Sequence, residues 1–235
     1  MLRLFLLCTV AFSLMANVFA AEKSTRSCRI IFLEAPDDAP EKIFLSDGVS
    51  MREVELPRMN LSDIYPLAEG DITLRMFSQK ITDLAAVPTS APSATIGADV
   101  KDFYLLVSTD PANKIAPVKM SVINANAANF KKGQMLWFNL TKNKVGGRVG
   151  ERDLAMDANS KTILDAPSRK NGDYNVNLTF RMPGDERLFP LCETKWQFDD
   201  RTRNIYFIIP VAGSRSPRIL GFPDYREEPK EAKEP

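Results

Sequence analysis

Histidine is missing from the chain altogether. Its absence removes Ser-His and Cys-His nucleophiles, imidazole metal ligands and pH switches built on imidazole, which are the commonest tools of catalysis. Net charge is nearly missing as well, since 31 Lys and Arg face 30 Asp and Glu. Cysteine occurs three times and tryptophan twice in 235 residues. No apolar run after the first twenty residues approaches the roughly 20 residues of a membrane-spanning helix. No Walker loop, dinucleotide fingerprint or nucleophile elbow is present.

What is present begins with an address. Arg3 gives a positive start, Leu4 to Ala16 is apolar but too short to span a bilayer, and Val18-Phe19-Ala20 offers small residues for cleavage. Residues 1–20 therefore read as a signal peptide, and the mature chain is expected in the periplasm or outside the cell. Cleavage removes Arg3 alone among the charges and leaves 30 of each sign. Bulk attraction to nucleic acid or to an anionic membrane is not expected. Cys8 leaves with the signal, whereas Cys28 and Cys192 remain where oxidation is permitted. A bridge between them would close a loop of roughly 160 residues, worth at most about 5 kcal/mol in the chain-entropy account. Two separate buried thiols are the alternative.

The chain reads as one unit used twice. Gly70-Asp71-Ile72-Thr73-Leu74-Arg75-Met76 matches Gly172-Asp173-Tyr174-Asn175-Val176-Asn177-Leu178, and Asp102-Phe103-Tyr104-Leu105-Leu106-Val107 matches Asn204-Ile205-Tyr206-Phe207-Ile208-Ile209, both 102 positions apart. Ala116-Pro117-Val118-Lys119-Met120 against Ser216-Pro217-Arg218-Ile219-Leu220, and Ile30-Ile31-Phe32 against Leu136-Trp137-Phe138, repeat the order at offsets of 100 and 106. A repeat of about 100 residues is the size of one β-sandwich.

Side chains alternate with period two, as in Ile72, Leu74 and Met76 against Thr73 and Arg75, or Tyr174, Val176, Leu178 and Phe180 against Asn175, Asn177, Thr179 and Arg181. Such strands bury one face and wet the other. Asp47-Gly48, Glu69-Gly70-Asp71, Gly146-Gly147, Asn171-Gly172 and Pro183-Gly184-Asp185 read as turns, and sixteen prolines argue against long helices. The predicted fold is all-β, with two tandem immunoglobulin-like antiparallel β-sandwich domains at 28–123 and 134–222. Residues 124–133 form a polar linker, residues 79–97 a long loop in the first copy, and the charged tail from 223 is expected to be disordered.

Glu34-Ala35-Pro36-Asp37-Asp38-Ala39-Pro40, the strand Lys42 to Ser46 with Asp47-Gly48, and Ile64-Tyr65-Pro66 leading to Gly70 together resemble a family of exported bacterial domains marked by an Ala-Pro-Asp-Ala-Pro motif. The resemblance covers about 95 residues, mainly 28–123, and the motif here carries one extra Asp. It implies export and tandem β-sandwiches, and it transfers no activity and no site residues.

Among candidate chemistry, Asp37-Asp38, Glu53 with Glu55, Asp199-Asp200 and Glu227-Glu228 are the carboxylates available to a glycoside hydrolase. Such an enzyme needs two of them roughly 5–10 Å apart across a cleft. Neighbouring acids on a strand point to opposite faces, so nothing in the spacing aims two at one point. Asp37-Asp38, Asp110 and Asp157-Ala158-Asn159 are oxygen donors for calcium, without the spacing of a dedicated loop. No cofactor is expected. Asn60-Leu61-Ser62, Asn139-Leu140-Thr141 and Asn177-Leu178-Thr179 match the glycosylation pattern.

The one local charge asymmetry lies at 130–152, where Lys131, Lys132, Lys142, Lys144, Arg148 and Arg152 stand against Glu151 alone. Trp137 lies among them, and with Leu136, Phe138 and Leu140 as the apolar set it should point the other way, toward solvent or the neighbouring domain. Trp137, Lys131, Lys132, Lys142, Lys144 and Arg148 are thus the candidate ligand surface, suited to a glycan or polyanion. Trp196 shares a face with Phe198 and reads as core. The function expected is non-enzymatic binding or scaffolding in the periplasm or envelope, with an unknown envelope protein or a glycan as partner. A carbohydrate-binding module or carboxylate hydrolase is one alternative. A subunit of an envelope assembly that pairs through its edge strands is the other.

Overall fold

The computed structural model describes residues 26–83 and 87–225. The expected signal at 1–20 and the tail from 226 lie outside them. The described residues form sixteen strands and no helix. The first module contains β1 (Arg26–Phe32), β2 (Lys42–Ser46), β3 (Met51–Glu55), β4 (Tyr65–Leu67), β5 (Ile72–Phe77), β6 (Ser93–Ile96), β7 (Asp102–Thr109) and β8 (Val118–Asn124). The second contains β9 (Met135–Asn139), β10 (Lys144–Val149), β11 (Arg152–Met156), β12 (Ser160–Leu164), β13 (Gly172–Arg181), β14 (Phe189–Phe198), β15 (Thr202–Ile209) and β16 (Arg218–Tyr225).

Each module is a sandwich of two four-stranded sheets with the same topology. In the first, β4-β1-β7-β8 faces β3-β2-β5-β6; in the second, β12-β9-β15-β16 faces β11-β10-β13-β14. All neighbours are antiparallel except β1 with β7 and β9 with β15, so each copy departs from the purely antiparallel expectation at the same place.

The outer sheets obey the period-two pattern. Ile72, Leu74 and Met76 on β5, and Tyr174, Val176, Leu178 and Phe180 on β13, are buried while their neighbours reach the surface. The inner sheets do not, because they are covered on both sides. On β1 and β7, Ile30, Phe32, Phe103 and Leu105 fill the first sandwich, whereas Ile31 and Tyr104 turn outward into a second cluster. That cluster is completed by Leu136, Ile205, Phe207, Ile209 and Phe222 of the second module. The molecule is therefore a stack of four sheets with three apolar layers. At about 1.5–3 kcal/mol for each large side chain removed from water, the middle layer is a core in its own right.

A charged network sits in this junction. Asp224, wholly buried, accepts from Arg29 Nη1 at 2.5 Å, Arg203 Nη2 at 2.8 Å and the Tyr104 hydroxyl at 2.5 Å. Arg203 also donates to Asp102 Oδ2 at 2.8 Å and to the carbonyls of Ala125 and Phe130. Its guanidinium lies 5.2 Å from the Phe130 ring centre. Buried charges persist only when paired in this way.

Several expectations need correction. The polar linker expected at 124–133 is anchored rather than loose: Ala125 and Phe130 are buried, and the Asn126 side chain accepts from the Lys101 and Asp102 backbone N–H groups. The loop expected at 79–97 contains β6. Pro223, Asp224 and Tyr225 belong to β16 rather than to a tail. Gly146-Gly147 is no turn but the middle of β10, where a Cβ on Gly147 would stand 2.2 Å from the Asn177 carbonyl oxygen. Glycine there permits close strand approach, and the turn itself falls at Gly150, with φ of 58°.

Candidate functional site

The candidate ligand surface does not assemble. Trp137 is fully buried and faces the core of its own sandwich, stacking on Tyr206 at 4.4 Å and Trp196 at 6.0 Å between ring centres. Leu136 and Phe138 do share a face, as their spacing requires, but that face meets the junction between the modules. Both faces of β9 are covered, so an apolar set on one face said nothing about exposure of the other. The basic residues scatter: Lys131 and Lys132 precede β9, Lys142 follows it, Lys144 pairs with Asp157 at 3.1 Å and Arg148 with Asp153 at 2.6 Å. Lys144 and Arg148 thus have local counter-ions.

The other candidates resolve individually. Cys28 lies in the first core, whereas Cys192 lies half-buried on β14 of the second module. Burial pushes the Cys192 thiol upward. Asp37 lies 3.8 Å from Arg58, Asp110 accepts from the Ala112 N–H within its own turn, and Asp157 pairs as above. Among the described residues no three His, Cys, Asp or Glu side chains converge as a metal site. Asn139, the middle glycosylation candidate, is fully buried and holds its turn by donating to the Asn143 and Asp157 carbonyls. Glu227 and Glu228 lie outside the described residues.

The site that does form was not foreseen as one. In the first module the edge strands β6 and β8 lie against each other and close that side of the sandwich. Their counterparts β14 and β16 diverge, leaving a groove of about 790 Å³. That volume is in the range typical of ligand sites, roughly 300–1,000 Å³. Its floor is aromatic. Trp196, half-buried rather than core, stacks on Tyr206 at 4.9 Å with planes 15° apart, and Tyr174 meets Trp196 edge-on at 6.4 Å. Tyr225, 61% exposed, stands at one end.

The stack owes its position to one small residue. Tyr206 pairs across the sheet with Gly221, and a Cβ at 221 would stand 2.8 Å from Tyr206 Cε1. The ring lies over the bare backbone, a recognised means of stabilising an edge glycine. Burial, and then the neighbouring Tyr174 hydroxyl, holds the Tyr206 phenol far above its ordinary range.

The rim is polar. Asp199 accepts from Arg201 Nη2 at 2.6 Å and Nε at 3.0 Å, and these hydrogen bonds hold its carboxyl down to about 2. Asn171 and Asp200 exchange hydrogen bonds of 3.0 and 2.8 Å across the turn. Lys195, Gln197 and Asn204 also line the groove. The Asp199–Arg201 pair cancels internally, so Lys195 is the uncompensated charge among the lining residues.

The two edge strands that flank the groove carry breaks in their backbone pairing groups, of which Pro223 alone lines the groove. Pro190 on β14 and Pro223 on β16 have no N–H to offer, and β14 is further broken by a bulge that leaves Leu191 without a partner opposite. Proline, bulges and exposed charge are the usual devices that blunt an edge against strand addition. The groove is built to present side chains.

Compared with known proteins, the chain matches no family model and no curated relative.

Proposed function

We propose that the protein is an exported, non-enzymatic binding protein of the periplasm or cell envelope. Its ligand lies in the groove at the open edge of the second module, and the first module is the rigid backing for that site. The supporting observation is the contrast between equivalent edges: β6 and β8 close, β14 and β16 part over an aromatic floor. Repetition makes the two edges comparable, so the opening is specific to the second copy. Export rests on the leader-like residues 1–20.

A hydrolase is the weaker reading, because the one carboxylate lining the groove, Asp199, is already engaged by Arg201 and has no second carboxylate beside it on the lining. Edge pairing within an assembly through β14 or β16 is weakened by Pro190 and Pro223 on those strands. The test is a titration of isotope-labelled mature chain with soluble envelope extract, followed by amide and indole NMR shifts. Shifts at Trp196, Gln197 and Tyr225 with an unchanged Trp137 indole are expected. Shifts confined to the first module, or none, overturn the reading.

A further inference from the structure

We propose that the groove binds an oligosaccharide, an inference that rests on the binding role just given and names its ligand class. Three features of the groove point the same way. The first is an aromatic platform open on one side. Trp196 is backed by Tyr206 and braced edge-on by Tyr174, so its orientation is fixed before a ligand arrives, and little order must be imposed on binding. A sugar ring presents apolar C–H groups on its faces and hydroxyls at its edge, which suits a flat indole below and amides around it.

The second feature is the kind of polar group on the rim. Asn171, Gln197 and Asn204 carry both donors and acceptors, matching hydroxyls that also do both. A phosphate or polyanion would call for clustered guanidiniums and ammoniums, whereas Arg201 is committed to Asp199 and Lys195 alone carries uncompensated charge among the lining residues. The third feature is the proline in the β16 wall. An extended peptide would hydrogen-bond to β14 or β16, and on the β16 wall Pro223 has no N–H to give it. Tyr225 at the end of β16 adds a second aromatic face at the mouth, so the site reads along a chain rather than around a single ring.

The decisive experiment is affinity electrophoresis and glycan-array binding of the full mature chain, using defined envelope and plant polysaccharides as probes. Trp196→Ala and the peripheral Tyr225→Ala and Gln197→Ala are compared with wild type, with Lys131→Ala outside the groove as control. Retention on at least one polysaccharide is expected, with affinity lowered roughly tenfold by Trp196→Ala and less by Tyr225→Ala. Because Trp196 also packs on the core, Tyr225→Ala and Gln197→Ala decide if Trp196→Ala fails to fold. Equal binding by these two variants and wild type overturns the proposal. Absence of binding to every probe overturns it too. In that case a photo-crosslinking residue at 225 separates the causes: an adduct with an envelope protein retires the glycan and keeps the binding role, and no adduct retires both.

Discussion

Tyr206 lies across Gly221, its cross-strand partner, so closely that any side chain at 221 would meet the ring 2.8 Å from Cε1. The ring cannot retreat, because Trp137 lies 4.4 Å and Trp196 4.9 Å from it, centre to centre. Replacing Gly221 with valine should overpack the stack and cost about 1–3 kcal/mol. Urea unfolding measures that cost, and near-ultraviolet circular dichroism should lose the aromatic signal of the stack. An unchanged spectrum would show that the stack does not depend on residue 221.

Asp224→Ala should be far more damaging than its surface equivalents. It leaves Arg29, Arg203 and Tyr104 facing a junction without their shared carboxylate. Removing one member of a buried ion cluster costs about 3–5 kcal/mol. Asp153→Ala, which removes only the exposed partner of Arg148, should change stability by less than about 1 kcal/mol. Parallel denaturation curves for the two variants check the contrast, and similar midpoints would contradict it.

The Asp199 carboxyl should titrate near pH 2, because Arg201 hydrogen-bonds its charged form. A depressed carboxylate favours the fold above its unfolded value of about 4 and loses that effect as pH falls toward the folded value. The exposed Arg201→Ala change should return the titration to the ordinary carboxylate range. Carboxyl-detected NMR follows both midpoints, and the same midpoint in both chains would remove Arg201 as the cause.

Thiol labelling of the mature chain should proceed in two stages. Half-buried Cys192 reacts first, slowly and faster at alkaline pH because burial raises its thiol, while Cys28 reacts only on unfolding. Intact mass should show one label on the native chain and two on the denatured chain without reductant. A denatured chain that takes no label would mean a disulfide after all.

The strands with one wet face were legible in the sequence, and those without one were not. On β5 and β13 the alternation of Ile72, Leu74 and Met76, or of Tyr174, Val176 and Leu178, gives both strand and face. On the inner strands the sequence repeat at an offset of 102 sets Tyr104 against Tyr206. Yet Tyr104 points into the junction and Tyr206 into its own sandwich. With apolar groups on both sides there is no polar face to fix the register, and a slip of one residue exchanges the faces. Trp137 was misplaced for the same reason. The groove was hidden differently. Trp196, Asp199 and Tyr225 are each visible in the sequence, but their convergence depends on how far β14 and β16 diverge, which no local pattern encodes.

The carboxylate that joins Arg29 to Arg203 belongs to Asp224, the last but one described residue, while Arg29 lies on the first strand. A ribosome must therefore have made everything from Arg29 through Asp224 before the two halves can lock. A product cut just upstream of residue 224 leaves Arg29 without that carboxylate and Arg203 held by Asp102 without it, so the seam cannot close as it does in the full fold.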